Sequence, residues 1–356
     1  MTPVVGDVTL GASIIAKVTV TMALTLAGVR LARKCPAALR HVWLAAAFAV
    51  SLAQTSPELQ KATPAVLHAF QSHEIVMLAE AHGNKQEYDW LRSLVANQGF
   101  AELVDDVVIE FGNSRYQQFA DQYVRGDAIP IEQVQGAWLD TVAAVGPPSP
   151  VYASLYEAVR ETNMKRKGKH QIRILCGDSN IDWSRVNEGK DIVPYLSTRE
   201  QSYVQVVESE VIAKHHRALL IMGAFHFLRH FDMNPGRKQF DIEQQIRTAG
   251  ANPYLIVTGT NTTGSARLDQ RFDSWPNPVI VALQDNWVGE LPAIPVVTEG
   301  HGPALALKLK DAADALLYLG PKDSLITVQM SPVELEGTPY GKELERREKL
   351  QMSLEK

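Results

Sequence analysis

The sequence contains only two cysteines, Cys35 and Cys176, in 356 residues. Neither belongs to a C-x-x-C pair or a Cys/His cluster, so a structural zinc site is not expected. Cys35 stands in the N-terminal segment and Cys176 ends a later apolar run. A disulfide between them is not expected, and two cysteines leave the redox compartment open. No H-E-x-x-H occurs, which removes the helix-borne arrangement of zinc proteases. No G-x-S-x-G elbow occurs either, so a serine nucleophile is not favoured. The main part of the chain has no long basic run and the formal net charge is −5. Nucleic acid, which is held by clustered Lys and Arg, is therefore not an expected partner. Internal repeats and low-complexity stretches are missing too.

What is present is ordinary globular composition, 46% apolar and 21% charged, enough to build a core and too apolar for disorder. The first 55 residues differ from the rest. Residues 8–31 are mainly apolar and carry no charge but Lys17 and Arg30, and roughly 20 such residues span a bilayer. Arg30, Arg33, Lys34 and Arg40 follow, then a second apolar run at 42–53 that ends in Ser51-Leu52-Ala53, an A-x-A-like cleavage site. A helical hairpin with a basic cytoplasmic loop and a signal peptide preceded by extra residues both fit. Either way residues 1–55 form a membrane-anchor or signal segment, and the basic loop stays inside while the remainder goes out. The expected location is membrane-anchored or exported, with the main domain extracytoplasmic. A buried apolar hairpin of a soluble protein is the structural alternative.

From residue 65 to 356 we expect one α/β domain with a mainly parallel sheet and helices on both faces. Short β-branched or apolar runs at 75–78, 107–109, 172–175, 218–222, 254–257 and 279–281 have the length of strands. Between them lie helical patterns at 85–97, at 151–164 after the proline-rich break of 146–150, and at 198–215. Another helix, with Asn113 as cap, places Tyr116, Phe119, Ala120 and Tyr123 on one face. Alternation of this kind argues for parallel strands joined by helical crossovers. The last fifteen residues, KELERREKLQMSLEK, are charged and read as a solvated terminal helix.

In open α/β sheets, ligands bind outside the carboxyl ends of the strands. Glu80 and His82 follow the first strand, Glu110 the second, Asp178 the third and His226 the fourth, each within three residues of a glycine. Acids and histidines move protons and hold metals, and nearby glycines allow close backbone approach. Singly, each has a structural reading. Glu80 can serve a helix dipole, His82 a cap, Glu110 an ion pair with Arg115, Asp178 an Asx-turn, and His226 a buried hydrogen bond. Their coincidence at successive strand ends favours one site. His215, His216 and His230 lie on flanking segments and read as surface or structural.

These residues carry a resemblance. Glu80 and His82 in LAEAHG, Glu110 in VVIEFGNSRYQ, and Gly223 with His226 in IMGAFHF resemble the motifs of the erythromycin-esterase, ChaN and Tiki superfamily, over residues 75–260. Ala79 replaces the usual glycine before the acid, and the single residue between acid and histidine follows the ChaN-like spacing. The stretches FGNSRYQQFADQYV, GDSNIDW and DALLYLGP look like an uncharacterised subgroup of it. Separately, ARKCPAALRHVWLAAAF looks like the N-terminal membrane region of sensor proteins that induce β-lactamases, over about 40 residues.

The superfamily resemblance implies fold and site position but not reaction, because its members include esterases, metal-dependent proteases and haem-binding proteins. A hydrolase-like reading makes His82 or His226 a general base on water, with Glu80 and Glu110 tuning the histidines and Arg115 stabilising developing negative charge. Its metal-assisted version uses Glu80, His82 and His226 as ligands of a divalent metal. The substrate would be a small molecule or peptide. The alternatives are a binding protein for haem or iron, and a degenerate sensor domain.

Overall fold

The computed structural model describes residues 57–142, 148–231, 240–259, 262–263, 266–267, 270–293 and 307–354. The expected anchor or signal segment at 1–55 lies outside the described residues. Among those described, no helix is long and apolar enough to cross a membrane. The compact unit that carries the sheet comprises Glu58–Gln284 and Val288–Lys356.

Eight strands form one mixed, mostly parallel sheet. They are β1 (Gln60–Lys61), β2 (Ile75–Glu80), β3 (Asp106–Asn113), β4 (Arg173–Asp178), β5 (Ala218–Gly223), β6 (Pro253–Gly259), β7 (Val279–Ala282) and β8 (Ala315–Tyr318). In space the order is β1-β7-β8-β6-β2-β5-β3-β4. The run from β8 to β4 is parallel throughout, whereas β7 pairs antiparallel with both β8 and β1. The expected six strands are all present. The sequence reading lacked β1 and β8, and it did not foresee that β7 runs against its neighbour.

Every side chain from Ile75 to Glu80 is buried, as is every one from Ala218 to Gly223. Burial of both parities explains why these strands read as unbroken apolar runs instead of alternating ones. On one face Val76, Leu78, Val107, Ile109, Ile174 and Leu219 join a core with helices α1 (Ala62–Ala69), α2 (Lys85–Val95), α3 (Gln98–Leu103), α4 (Gln117–Arg125) and α5 (Pro150–Lys165). On the other lies α6 (Arg199–Val206), whose Tyr203 packs on Gly177 of β4 and donates its hydroxyl hydrogen to Val108 O at 3.0 Å.

Local sequence explains several boundaries. Asn84 caps α2 by accepting from Glu87 N, and Gly126 ends α4 at φ 102°. Asn113 is a cap as expected, but of a short 3-10 turn (Ser114–Tyr116) that precedes α4. The helix expected at 198–215 is α6 followed by a π-helical turn at Val207–Ile212. After β5 come the short α7 (Ala224–Phe227) and then α8 (Ile242–Thr248).

The terminal helix α9 (Pro339–Met352) corrects an expectation. Its charged sequence reads as solvated, yet Leu344 and Arg347 are buried. Arg347 bonds Leu139 O and Asp140 and stacks 4.6 Å over the Trp183 ring. The charge is there to be paired, with the guanidinium covering an aromatic face.

Candidate functional site

The carboxyl ends of β2, β3, β4 and β5 bring the expected residues together. Glu80 closes β2 with its side chain buried. His82 lies two residues on, in the turn before α2, with 52% of its side chain exposed. Its Nδ1 is 2.9 Å from Glu80 Oε1, while Tyr88 of α2 donates its hydroxyl hydrogen to Glu80 Oε2 at 2.6 Å. The imidazole meets Phe111 edge-on at 5.0 Å, and Phe111 stacks on Tyr152 at 3.9 Å. Gly223 is needed opposite. A Cβ there would lie 2.5 Å from His82 Cε1, a distance no real contact allows.

Glu110, on β3, sits between Arg199 and His226. Arg199 Nη2 is 2.8 Å from Oε1, an ion pair without the angle of a hydrogen bond, and Gly223 N donates to Oε2. His226 Nε2 is 3.6 Å from Glu110 Oε1, and its Nδ1 is 2.9 Å from Glu200 Oε1. Arg199 Nε also donates to Asp178 Oδ1 at 2.8 Å, and Asp178 Oδ2 accepts from Val142 N at 2.7 Å. The histidines thus flank Glu110 in similar ways, each with Nδ1 held by a second carboxylate.

Burial would raise the Glu110 carboxyl, but the charges of Arg199, His226 and His82 and the Gly223 N–H bring it down to about 2. Burial lowers His82, yet the hydrogen bond and charge of Glu80, helped by Glu110, outweigh it and lift the imidazole to about 9. Beneath them Glu87 is buried and near Glu80. Burial and that charge raise it to about 8, against hydrogen bonds from Ala81 N and Thr258 Oγ1. At neutral pH and without further ligand, Glu110 is a carboxylate, His82 an imidazolium and Glu87 largely protonated.

One ligand atom each from Glu80, His82 and Glu110 can be chosen so that all three lie within 4.8 Å of one another, a group that can hold a metal ion. Glu80, His82, Glu110, His226 and Asp178 are therefore linked in one network. Arg115 is not linked to it by any contact described. It pairs with Asp182 at 3.0 Å, and the guanidinium beside Glu110 belongs to Arg199. His216 pairs with Asp106 at the opposite end of the sheet.

Sequence reasoning missed Arg199, Tyr88, Glu87 and Glu200, which sit within helices. Tyr88 and Glu87 share the buried face of α2 with Leu91 and Leu94, and a glutamate on such a face is a readable signal. Arg199 and Glu200 carry no comparable mark, because their partners come from β3, β4 and α7.

No protein-family model and no curated protein matches the chain. Solved structures do, at low identity. A Bacillus cereus protein is 14% identical, with 79% of this chain and 97% of that one aligned and a TM-score of 0.42. ChaN of Campylobacter jejuni, described with cofacial haem binding, is 11% identical over 55% of this chain and 85% of its own, with a TM-score of 0.32. The type III effector HopBA1 is 10% identical over 76% and 99%, with a TM-score of 0.37. What fold and site define together is an α/β protein with a buried carboxylate–histidine network at the carboxyl edge of its sheet.

Proposed function

We propose that the chain is a hydrolase in which Glu80, His82 and Glu110 hold a divalent cation beside a small-molecule or peptide substrate with an ester or amide bond. The observation that carries this reading is the approach of three ligand atoms to within 4.8 Å at strand ends, with His82 open to solvent. The donor set fits such an ion. Two carboxylates and one imidazole are ligands of zinc and manganese, and three protein ligands leave positions free. Charge supports it as well. Four carboxylates, Glu80, Glu110, Asp178 and Glu200, belong to the network, and its one guanidinium, Arg199, pairs with Glu110 and Asp178, so a cation that replaces the His82 proton is stabilised there. When bound, the ion supplies a water acidified toward a pKa of about 7.

The chain's own residues do the rest. Before an ion binds, Glu80 holds the His82 ring at Nδ1, and Tyr88 fixes Glu80. Arg199 and Gly223 N hold Glu110 in its charged form. His226, oriented by Glu200, is the group placed to take or give a proton at Nε2. His82 must lose its proton to bind the ion, so binding strengthens with rising pH.

Calorimetric titration of metal-free protein with Mn²⁺ and with Zn²⁺, beside ester and peptide hydrolysis assays, tests the reading. We expect one ion per chain, binding that is lost in Glu80→Gln and His82→Ala, and turnover that needs the ion. A protein that binds neither ion but develops a Soret band with haem would overturn this reading in favour of a haem-binding protein.

We further propose that residues 1–55 tether or export the chain, because two apolar runs flank a basic stretch. Fractionation of cells producing a tagged chain should place it in membranes or outside the cytoplasm. Full-length protein in the cytosol with its N-terminus intact would sink the idea.

A further inference from the structure

The C-terminal region does more than close the fold. Val328 N donates to Gly83 O at 2.9 Å and Lys85 N to Ile326 O at 2.8 Å, so a strap from Ser324 to Met330 runs along the turn that carries His82. Gln86 fastens it from below, bonding both Ser324 O and Ile326 N. Met330 N then reaches Pro148 O at 2.9 Å, just ahead of α5.

The helix α9 continues around the rim. Arg347, 2% exposed, grips Leu139 O and Asp140, and Tyr340 donates its hydroxyl hydrogen to Leu139 O at 2.8 Å. Arg346 bonds Trp183 O and Val186 O. The segment so held, 139–142, ends in the amide that bonds Asp178. Asp178 holds Arg199, and Arg199 holds Glu110.

We propose that this C-terminal belt positions the site, with Arg347 as the residue that sets Glu110 through the Val142 amide, Asp178 and Arg199. Arg347 touches neither cation nor substrate and acts only through this chain of contacts. The strap does the same for the turn of His82 from the other side. A buried guanidinium that bonds a backbone carbonyl, an aspartate and an aromatic face at once fixes a loop in one position, because each bond demands the same placement.

The proposal rests on the cation-binding reading of the site, and its test has an arm that does not. The full chain is compared with Arg347→Met, the milder Tyr340→Phe, and Lys349→Ala on the exposed side of α9 as control. Amide exchange is read at Val142 and at Gly223, whose N–H bonds Glu110 Oε2, and Mn²⁺ affinity is read by calorimetry. In folded Arg347→Met we expect faster exchange at both amides and affinity reduced about tenfold, on the scale of a lost oriented partner. Tyr340→Phe should show a smaller shift of the same sign, and Lys349→Ala none. If Val142 loosens while Gly223 exchange and affinity stay at parental values, the belt is structural only and the proposal is wrong. Should the parent bind no Mn²⁺, the cation reading fails by itself, and Gly223 exchange still decides whether the belt reaches Glu110.

Discussion

Gly223 marks the tightest point of the site. A methyl group there would press on His82 Cε1 and Nε2 and approach Glu110 Oε2 at 3.2 Å. In Gly223→Ala we expect the imidazole to be driven from Glu80 while β5 keeps its pairing. Cation affinity should fall at least tenfold with little change in melting temperature, measured by calorimetry and thermal unfolding. Glu87 offers a cleaner case of chemistry hidden in a helix. It accepts from Ala81 N and from the Thr258 hydroxyl, and a glutamine amide can bond the same two partners without a charge. Glu80, His82, Glu110 and His226 were legible in the sequence because each follows an apolar run of strand length. Arg199 and Glu200 were not, because an ion pair across distant strands leaves no local pattern.

At the scale of elements, the parallel strands are readable because burial on both faces demands uninterrupted apolar residues. Their order in space is not, since parallel neighbours are set by helical crossovers and not by pairing motifs. β8 escaped the reading although Ala315–Tyr318 is wholly buried and five apolar residues, Ala315–Leu319, stand between Asp314 and Gly320. The face of α9 that packs inward was hidden for another reason: Arg347 is charged, and composition alone treats charge as solvated. A comparable joint is Arg229, which bonds Glu243 of α8 and Asp314 just before β8. Arg229→Met leaves both carboxylates short of a partner. Glu243 keeps Arg247 and the pair is partly exposed, so we expect a loss of about 2 kcal/mol in urea unfolding, less than for a broken fully buried ion pair. A loss below about 0.5 kcal/mol, the size of an ordinary surface substitution, would show that the joint holds little.

For the whole molecule these groups predict a stability profile in the metal-free state. Glu110 lies near 2 when folded against an ordinary 4.5, so its contribution is present above 4.5 and lost as pH falls toward 2. Glu87, raised to about 8, has the opposite sign, for the folded state resists its ionisation and stability declines between 4.5 and 8. His82, raised to about 9, stabilises fully below 6.5 and less as pH climbs through 9. Stability should therefore peak in mildly acid solution. Glu87→Gln should flatten the decline between 4.5 and 8 and exceed the parent at pH 8.5 in denaturant titrations. If the two profiles run parallel over that range, Glu87 is not the group responsible.

The placement of β8 also governs how the chain can be assembled as it is synthesised. β2, β5, β3, β4 and β6 are complete by Gly259 and can pair at once. β7 is made next, but its partners in the sheet are β8 and β1, so it has no seat beside β6 until residues 315–318 leave the ribosome. Through that interval β6 presents an open edge, the kind of surface on which nascent chains stick to one another. β1, nearly the first described piece to emerge, docks only on β7 and so is among the last to find its place. A chain stalled between Gly259 and Ala315 would hold a half-built sheet with an adhesive border.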